Sequence, residues 1–341
     1  MEAAVLERYG AALNLVRRPT PTPPPGWVLL DVRAAGVCGS DLFLQKGGFD
    51  SALPIVPGHE ASGIVVAVGE DVQGIQVGTP AALYYIDHCG ICDMCRGGYV
   101  NMCRRARRMG VDFDGAFAEQ VLVPGRCIIP VSCNMDPVAV AVLTDAVATP
   151  YHALTSIAQV KPGETVLVLG VGGIGSNAVQ LAKHLGCRVL ASTRSSRKLE
   201  LAVELGADVA IPADALSNAV VGQHTDGKGP DVVIQTVGSG AVDRSAIEVA
   251  GVRTRIILVG ASTESFKARS TEFIWRELTV SGSRGYTPKD IRAVIDLYQS
   301  GAITLNHLTS VRRPLREINE AIEDLRHGRV LRSVIEVGSS W

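Results

Sequence analysis

The sequence predicts an α/β protein in two parts: a small, irregular β-rich portion and an open, doubly wound parallel sheet of six strands. Three observations predict it. Between residues 31 and 130, short β-branched runs such as 63–68, 79–83 and 120–123 are punctuated by Gly and Pro. After Thr149, apolar runs recur at 165–169, 188–192, 208–211, 231–235, 255–259 and 278–281. Most are separated by enough chain for a helix, as a sheet covered on both faces requires. At the end of the first of these runs stands Gly170-Val-Gly172-Gly173-Ile174-Gly175, opening a helical pattern that continues to Leu185.

The remaining elements follow in order. The first thirty or so residues read as a strand, a Pro-rich turn over 19–25 and a strand over 27–32. From about residue 287 the text turns helical and charged, then closes on an apolar strand over 333–337. By pattern alone this tail fits either part. There is no internal repeat.

A chain of 341 residues is long enough for two ordinary domains. Net charge is −1, with 20 % charged residues, so no footprint for nucleic acid stands out. The one basic run, Arg104 to Arg108 with Ala106 inside it, reads as a solvated loop. No basic segment leads into a long apolar stretch at the N-terminus, and no unbroken apolar run approaches the ~20 residues that span a bilayer. The C-terminus carries no prenylation signature. A cytoplasmic protein without a membrane partner is expected.

The glycine pattern has the strand–turn–helix context of a Rossmann dinucleotide site. Gly170 permits the tight turn, Gly172 lets backbone approach a pyrophosphate, and Gly175 lets helix and strand pack closely. Gly173 and Ile174 begin the helix whose free N–H groups meet that anion. NAD sites usually place a carboxylate at the end of the second strand. Here Thr193 stands there, followed by Arg194, Ser195, Ser196, Arg197 and Lys198. Three cations without a carboxylate favour a 2′-phosphate, hence NADP(H) over NAD(H); a solvated helix start is the alternative.

Four of the eight cysteines fall at Cys89, Cys92, Cys95 and Cys103. Such clustering favours metal over disulfide. Four thiolates at this spacing can close a tetrahedral Zn²⁺, which suits a structural site. A second, dispersed set comprises Cys38-Gly-Ser40-Asp41 and Gly58-His59-Glu60.

These features, with Leu143-Thr-Asp145-Ala-Val-Ala-Thr149-Pro-Tyr151, resemble the zinc-containing medium-chain alcohol dehydrogenase family along nearly the whole chain. The resemblance implies a GroES-like catalytic domain (1–150 and 288–341, with a structural-zinc lobe at about 88–104) interrupted by a Rossmann domain (151–287). It implies a catalytic zinc held by Cys38, His59 and Asp145, with Glu60 as an exchangeable ligand. Many members carry Cys where this chain has Asp145; Asp⁻ preserves the formal charge while its harder oxygen leaves zinc a stronger Lewis acid. Asp41 is expected to orient the His ligand.

The implied reaction is reversible hydride transfer between NADP(H), or NAD(H), and an alcohol and its ketone or aldehyde. Ser40 would relay the proton, but Phe43 stands where many members place the next relay His. Phe43 and Tyr85 are candidates for the substrate pocket wall. Thr149 matches a position near the nicotinamide and Arg332 one that reaches the pyrophosphate; Val259, ending the fifth run, joins the cofactor set. The family suggests a homodimer or homotetramer. Two other readings share the scaffold: an NADPH-dependent 2-enoyl (alkene) reductase, and a zinc-stabilised binding protein without turnover. The intact Cys38, His59 and Asp145 set argues against the first, because many such reductases lack zinc.

Overall fold

Trp27–Val37 is the longest strand of the protein and is buried over most of its eleven residues. It is covered because it has neighbours on both sides. Glu60–Val68 pairs antiparallel along one edge, with register shifts between Leu29 and Leu30 and between Val32 and Ala34. On the other edge Gln120–Pro124 pairs with its first half and Ser333–Glu336 with its second. The computed structural model describes residues 1–338 and residue 341.

This seven-stranded sheet belongs to a unit formed by Met1–Asp145, Thr287–Asp296 and Thr304–Trp341. Its register matters for chemistry. Gly36 lies opposite Glu60, and Ser333 lies opposite Val37. Three chain segments therefore meet at one end of the sheet: the exit of the long strand, the start of the Glu60 strand, and the residue before Ser333. The helix Pro137–Val142, capped by Asp136 with Pro at its first turn, packs on the same sheet. It runs on into a π-helical turn, Leu143–Val147.

The second unit comprises Ala146–Tyr286 and Leu297–Ile303. Its sheet has six strands: Thr165–Leu169, Arg188–Thr193, Val209–Pro212, Val232–Gln235, Arg255–Leu258 and Thr279–Gly282. Numbered along the chain, their spatial order is 3-2-1-4-5-6, and its five pairings are all parallel. That order places a crevice beside the first strand, where the order reverses and where such sheets bind dinucleotides. Leu167, Leu190, Val233 and Ile256 fill the core beneath helices such as Gly240–Glu248. The strands match the six apolar runs to within a residue at each end. The fifth stops at Leu258, and the Val259 N–H continues to Gln235 O at 2.9 Å.

One continuous helical stretch, Pro137–Ile157, is long and apolar enough to cross a membrane by composition, yet 89 % of its window is buried inside the protein. The π-helical turns sit within it, and its polar Thr144, Asp145, Thr149 and His152 are buried. It is a core element. Broken apolarity is why no run of this kind stood out in the sequence.

His307, on the short helix Asn306–Thr309, packs toward Pro137–Val142 and Ser333–Glu336. Neither ring nitrogen has a hydrogen-bond partner among the described residues, and burial holds its pKa down at about 4. The unfolded chain therefore binds more protons than the folded one between the ordinary His value near 6.5 and about 4. Stability is fully present above that window and falls as pH drops through it, by at most about 3 kcal/mol. His307→Leu should flatten this acid limb of the unfolding free energy while leaving stability at pH 7 undiminished. An unchanged acid limb would show that His307 is not its source.

Candidate active site

The sheet end described above converges on one cluster. Cys38 follows the long strand and stands just before the helix Gly39–Gln45. Asp41, at the third helical position, accepts the Cys38 N–H at Oδ2 (2.8 Å) and faces His59 Nδ1 with Oδ1 (3.3 Å). A single buried carboxylate thus fixes both the helix start and the imidazole ring. With Nδ1 turned to Asp41, Nε2 is left to face Cys38, Ser40 and Asp145. Burial lowers the His59 pKa, but the Asp41 carboxylate, with a smaller contribution from Cys38, outweighs it and raises the ring well above its ordinary value.

Asp145 arrives from the π-helical turn, a local geometry frequent at functional sites. Its Oδ2 lies 3.2 Å from Cys38 Sγ and 4.0 Å from His59 Nε2. All three donor atoms lie within 4.8 Å of one another, and all three residues are buried. A tetrahedral zinc with bonds of about 2.0–2.3 Å separates S, N and O donors by about 3.3–3.8 Å. The spacing and the donor chemistry fit Zn²⁺. Ser40 Oγ stands 3.1 Å from Cys38 Sγ and 3.2 Å from His59 Nε2, so its hydroxyl borders the same space.

Glu60 and Arg332 complete the cluster. Glu60 is fully buried, and Arg332 is 3 % exposed. Arg332 Nη1 approaches Glu60 Oε2 at 3.1 Å and the Val37 carbonyl at 3.4 Å; Nη2 approaches Asp145 Oδ2 at 3.7 Å. The Glu60 contact pairs charge without hydrogen-bond geometry, so neither Glu60 oxygen has a hydrogen-bond partner among the described residues. Burial pushes Glu60 up to about 8, against the pull of Arg332. A buried carboxylate with unspent lone pairs beside the donor triad suits an exchangeable ligand. Gly36 makes room for it, since a Cβ there would overlap the Glu60 carboxyl. The family resemblance ties Arg332 to the pyrophosphate; in the structure its guanidinium also faces Glu60 and Asp145.

The cysteine quartet gathers in the same unit. Cys103 Sγ lies 3.6 Å from Cys89 Sγ and 3.9 Å from Cys92 Sγ, around the ~3.8 Å of sulfurs on a tetrahedral zinc. Cys103 Sγ also accepts the N–H groups of Cys89 and Arg105, each at 3.3 Å. Backbone N–H groups of Arg104 and Cys95 draw the Cys92 thiol down to about 6, whereas burial pushes Cys95 up to about 12. N–H groups aimed at sulfur, with one thiol still resisting ionisation, are what a site waiting for a cation presents.

In the second unit, Gly170 sits at φ +93° immediately after the first strand. A Cβ on Gly175 would strike the Gly170 carbonyl, whereas one on Gly172 would meet only open space. The turn is tight where helix meets strand and open where a pyrophosphate would approach. Gly173 and Ile174 start the helix Gly173–His184. Thr193 ends the second strand, and Ser195 caps the helix Ser196–Glu204, with Arg194 and Lys198 flanking that cap. Thr149 lies buried in the helix Ala148–His152.

Around His59, the Tyr85 ring packs at a tilt of 57°, 5.6 Å between ring centroids. Phe43, one helical turn beyond Ser40, packs edge-on against Phe49 at 5.0 Å. No histidine occupies the relay position. Sequence reading missed Phe49 and Asp112, because neither belongs to a motif, and it read Arg108 as solvated. In the structure Arg108 is partly buried, 4.9 Å from the Phe49 ring and paired with Asp112.

Asp41→Asn should weaken metal at the Cys38–His59–Asp145 site by about 10- to 100-fold, measured by competition with a chelator. The cysteine quartet, which Asp41 does not touch, should keep its metal. Equal loss at both sites would point to general unfolding instead.

Comparison with known proteins is consistent along the chain. Residues 24–133 match the model of the alcohol dehydrogenase GroES-like domain, and residues 173–300 that of the zinc-binding dehydrogenases. The 2-dehydro-3-deoxy-L-galactonate 5-dehydrogenase of Pseudoalteromonas atlantica is 32 % identical, over 92 % of both chains. An alcohol dehydrogenase of Geobacillus stearothermophilus is 32 % identical, over 97 % of both. The solved structure of a putative zinc-binding dehydrogenase from Sinorhizobium meliloti 1021, bound to NADP, superposes with a TM-score of 0.91 at 32 % identity, covering 98 % of this chain and 99 % of that one. The chain belongs to the zinc-containing medium-chain alcohol dehydrogenase family.

Proposed function

We propose that the protein is a zinc-dependent alcohol dehydrogenase or carbonyl reductase that moves hydride reversibly between NADP(H) and an alcohol and its ketone or aldehyde. The observation that carries this reading is the buried Cys38–His59–Asp145 triad with the Ser40 hydroxyl against two of its atoms. We further propose two zincs per chain, one in this triad and one in the cysteine quartet, and a cytoplasmic location.

When bound, zinc supplies a Lewis acid to the carbinol oxygen, and the nicotinamide supplies the hydride site. The protein's own residues do the rest. Asp41 orients His59 and keeps its Nε2 aimed at the donor set. Ser40 Oγ takes or returns the substrate proton, within reach of the same atoms. Because Phe43 follows it, the proton leaves Ser40 by a route other than an adjacent His. Arg332 supplies a fixed positive charge beside Glu60 and Asp145.

The cofactor preference rests on Arg194, Arg197 and Lys198. None of them forms an ion pair among the described residues, and Lys198 is held below its ordinary pKa by partial burial and by the other two cations. Cations at a helix N-terminus are unfavourable without an anion. A 2′-phosphate supplies that anion. For the oligomer, the outer side of Thr279–Gly282 has no neighbouring strand among the described residues, and Ile274 and Trp275 just before it are 66 % and 79 % exposed. An open edge beside exposed apolar side chains favours a second copy there.

Phe43 in the relay position also favours an alkene reductase as a second reading. Metal content per chain, with NADPH and NADH oxidation against ketones, aldehydes and enones, separates the two. Two zincs with carbonyl reduction support the first reading; activity on enones alone overturns it. Ser40→Ala should lower carbonyl turnover by ~10²-fold or more, and near-normal turnover would remove Ser40 from the proton path. Lys198→Glu should raise KM for NADPH at least about tenfold while sparing NADH; equal effects on both would deny a phosphate site.

A further inference from the structure

Arg108 stands at the far end of two chains of contact, one that starts at His59 of the donor triad and one that starts on the helix carrying Ser40. The first runs through Tyr85: its ring packs against His59, its carbonyl accepts the Met109 N–H at 2.8 Å, and its phenol lies within electrostatic reach of the Arg108 guanidinium. The short pairing of Ile86–Asp87 with Arg107–Arg108 holds these segments side by side. The second runs from Phe43, on the Ser40 helix, to Phe49, and from the Phe49 ring to the Arg108 guanidinium. Both routes lie within one compact unit. Tyr85, Phe43 and Phe49 thus give an apolar surface beside the site, and that surface ends in a cation.

The cation is built in rather than left dangling. Asp112 receives Arg108 Nε at 2.8 Å and Nη2 at 3.0 Å, and it also accepts the Arg108 backbone N–H at 2.7 Å. This fork fixes the guanidinium plane, and Phe49 covers one face of it. Nη1 has no acceptor among the described residues. The Arg108 side chain is 24 % exposed, so its charge is only partly screened. Local charge is not balanced: Asp112 faces Arg107 as well as Arg108, and its carboxyl is held below the usual range by both. Arg107 rests over Phe113 at 5.3 Å, and Arg105 forms no ion pair among the described residues. An apolar alcohol would gain nothing from a positioned guanidinium with a free N–H edge. A carboxylate would.

We propose that Arg108 is a specificity-determining residue that binds an anionic group, a carboxylate, carried by the substrate away from its reacting carbon. The substrate class is then hydroxy acids and their oxo acids. This rests on the dehydrogenase reading above.

The test uses the zinc-loaded, full-length enzyme and NADPH, with a panel of four- to six-carbon oxo acids, each paired with its own amide. The wild type should reduce at least one acid with kcat/KM about tenfold or more above its amide. Added salt should raise KM for the acid and spare the amide. Arg108→Met should abolish the acid preference while leaving amide turnover within about twofold, and Arg108→Lys should restore part of it, since Lys keeps the charge without the fork. Amides preferred or equal throughout the panel overturn the proposal, as does an Arg108→Met variant that lowers acid and amide alike while its thermal midpoint is unchanged. Absence of turnover with every carbonyl, amides included, instead sinks the dehydrogenase reading and this proposal with it.

Discussion

Three carboxylates, those of Asp41, Glu60 and Asp145, and the Cys38 thiol are buried within one cluster that contains one guanidinium among the described residues. Charges taken out of water survive only with partners and hydrogen bonds. Arg332 compensates Glu60 and Asp145, and Asp41 is spent on the Cys38 N–H and on His59. The thiol of Cys38 and the carboxylate of Asp145 remain 3.2 Å apart with His59 beside them. That arrangement is uneconomical for stability alone and chemically apt for a divalent cation. The rest of that unit is the scaffold that makes this burial tolerable.

The scaffold works through register. Because Gly36 lies opposite Glu60 and Ser333 opposite Val37, three segments far apart in sequence end at the same place. The closing strand is therefore no appendage: it delivers Arg332 to the carboxylates of Glu60 and Asp145. A slip of one residue in either pairing would turn each side chain of that strand to the opposite face. The fourth contributor, Asp145, comes from a helix that changes its winding to a π turn just where this carboxylate joins the cluster.

How much of this was legible depended on the kind of signal. The six parallel strands were visible because each is an apolar run of strand length between helical patterns. The cysteine quartet was visible because its four members are close in sequence. Cys38, His59 and Asp145 were found only through their combined motifs, since separations of 21 and 86 residues carry no local periodicity. Arg332 was tied to a pyrophosphate, and its pairing with Glu60 and Asp145 needed the register of three strands. The run from Arg104 to Arg108 looked like a solvated loop because composition records charge but not its neighbours. Phe49, Tyr85 and Asp112 change what Arg108 is.

The central claim is that the protein holds two chemically different metal centres, one rich in sulfur and one of mixed donors. X-ray absorption at the zinc edge of the metal-replete protein reads that difference directly. Two zincs per chain, averaging about 2.5 sulfurs each with the remainder nitrogen and oxygen, is the result expected from one four-sulfur site and one Cys–His–Asp site. One zinc per chain with about four sulfurs would leave the Cys38–His59–Asp145 cluster without its metal and would contradict the account.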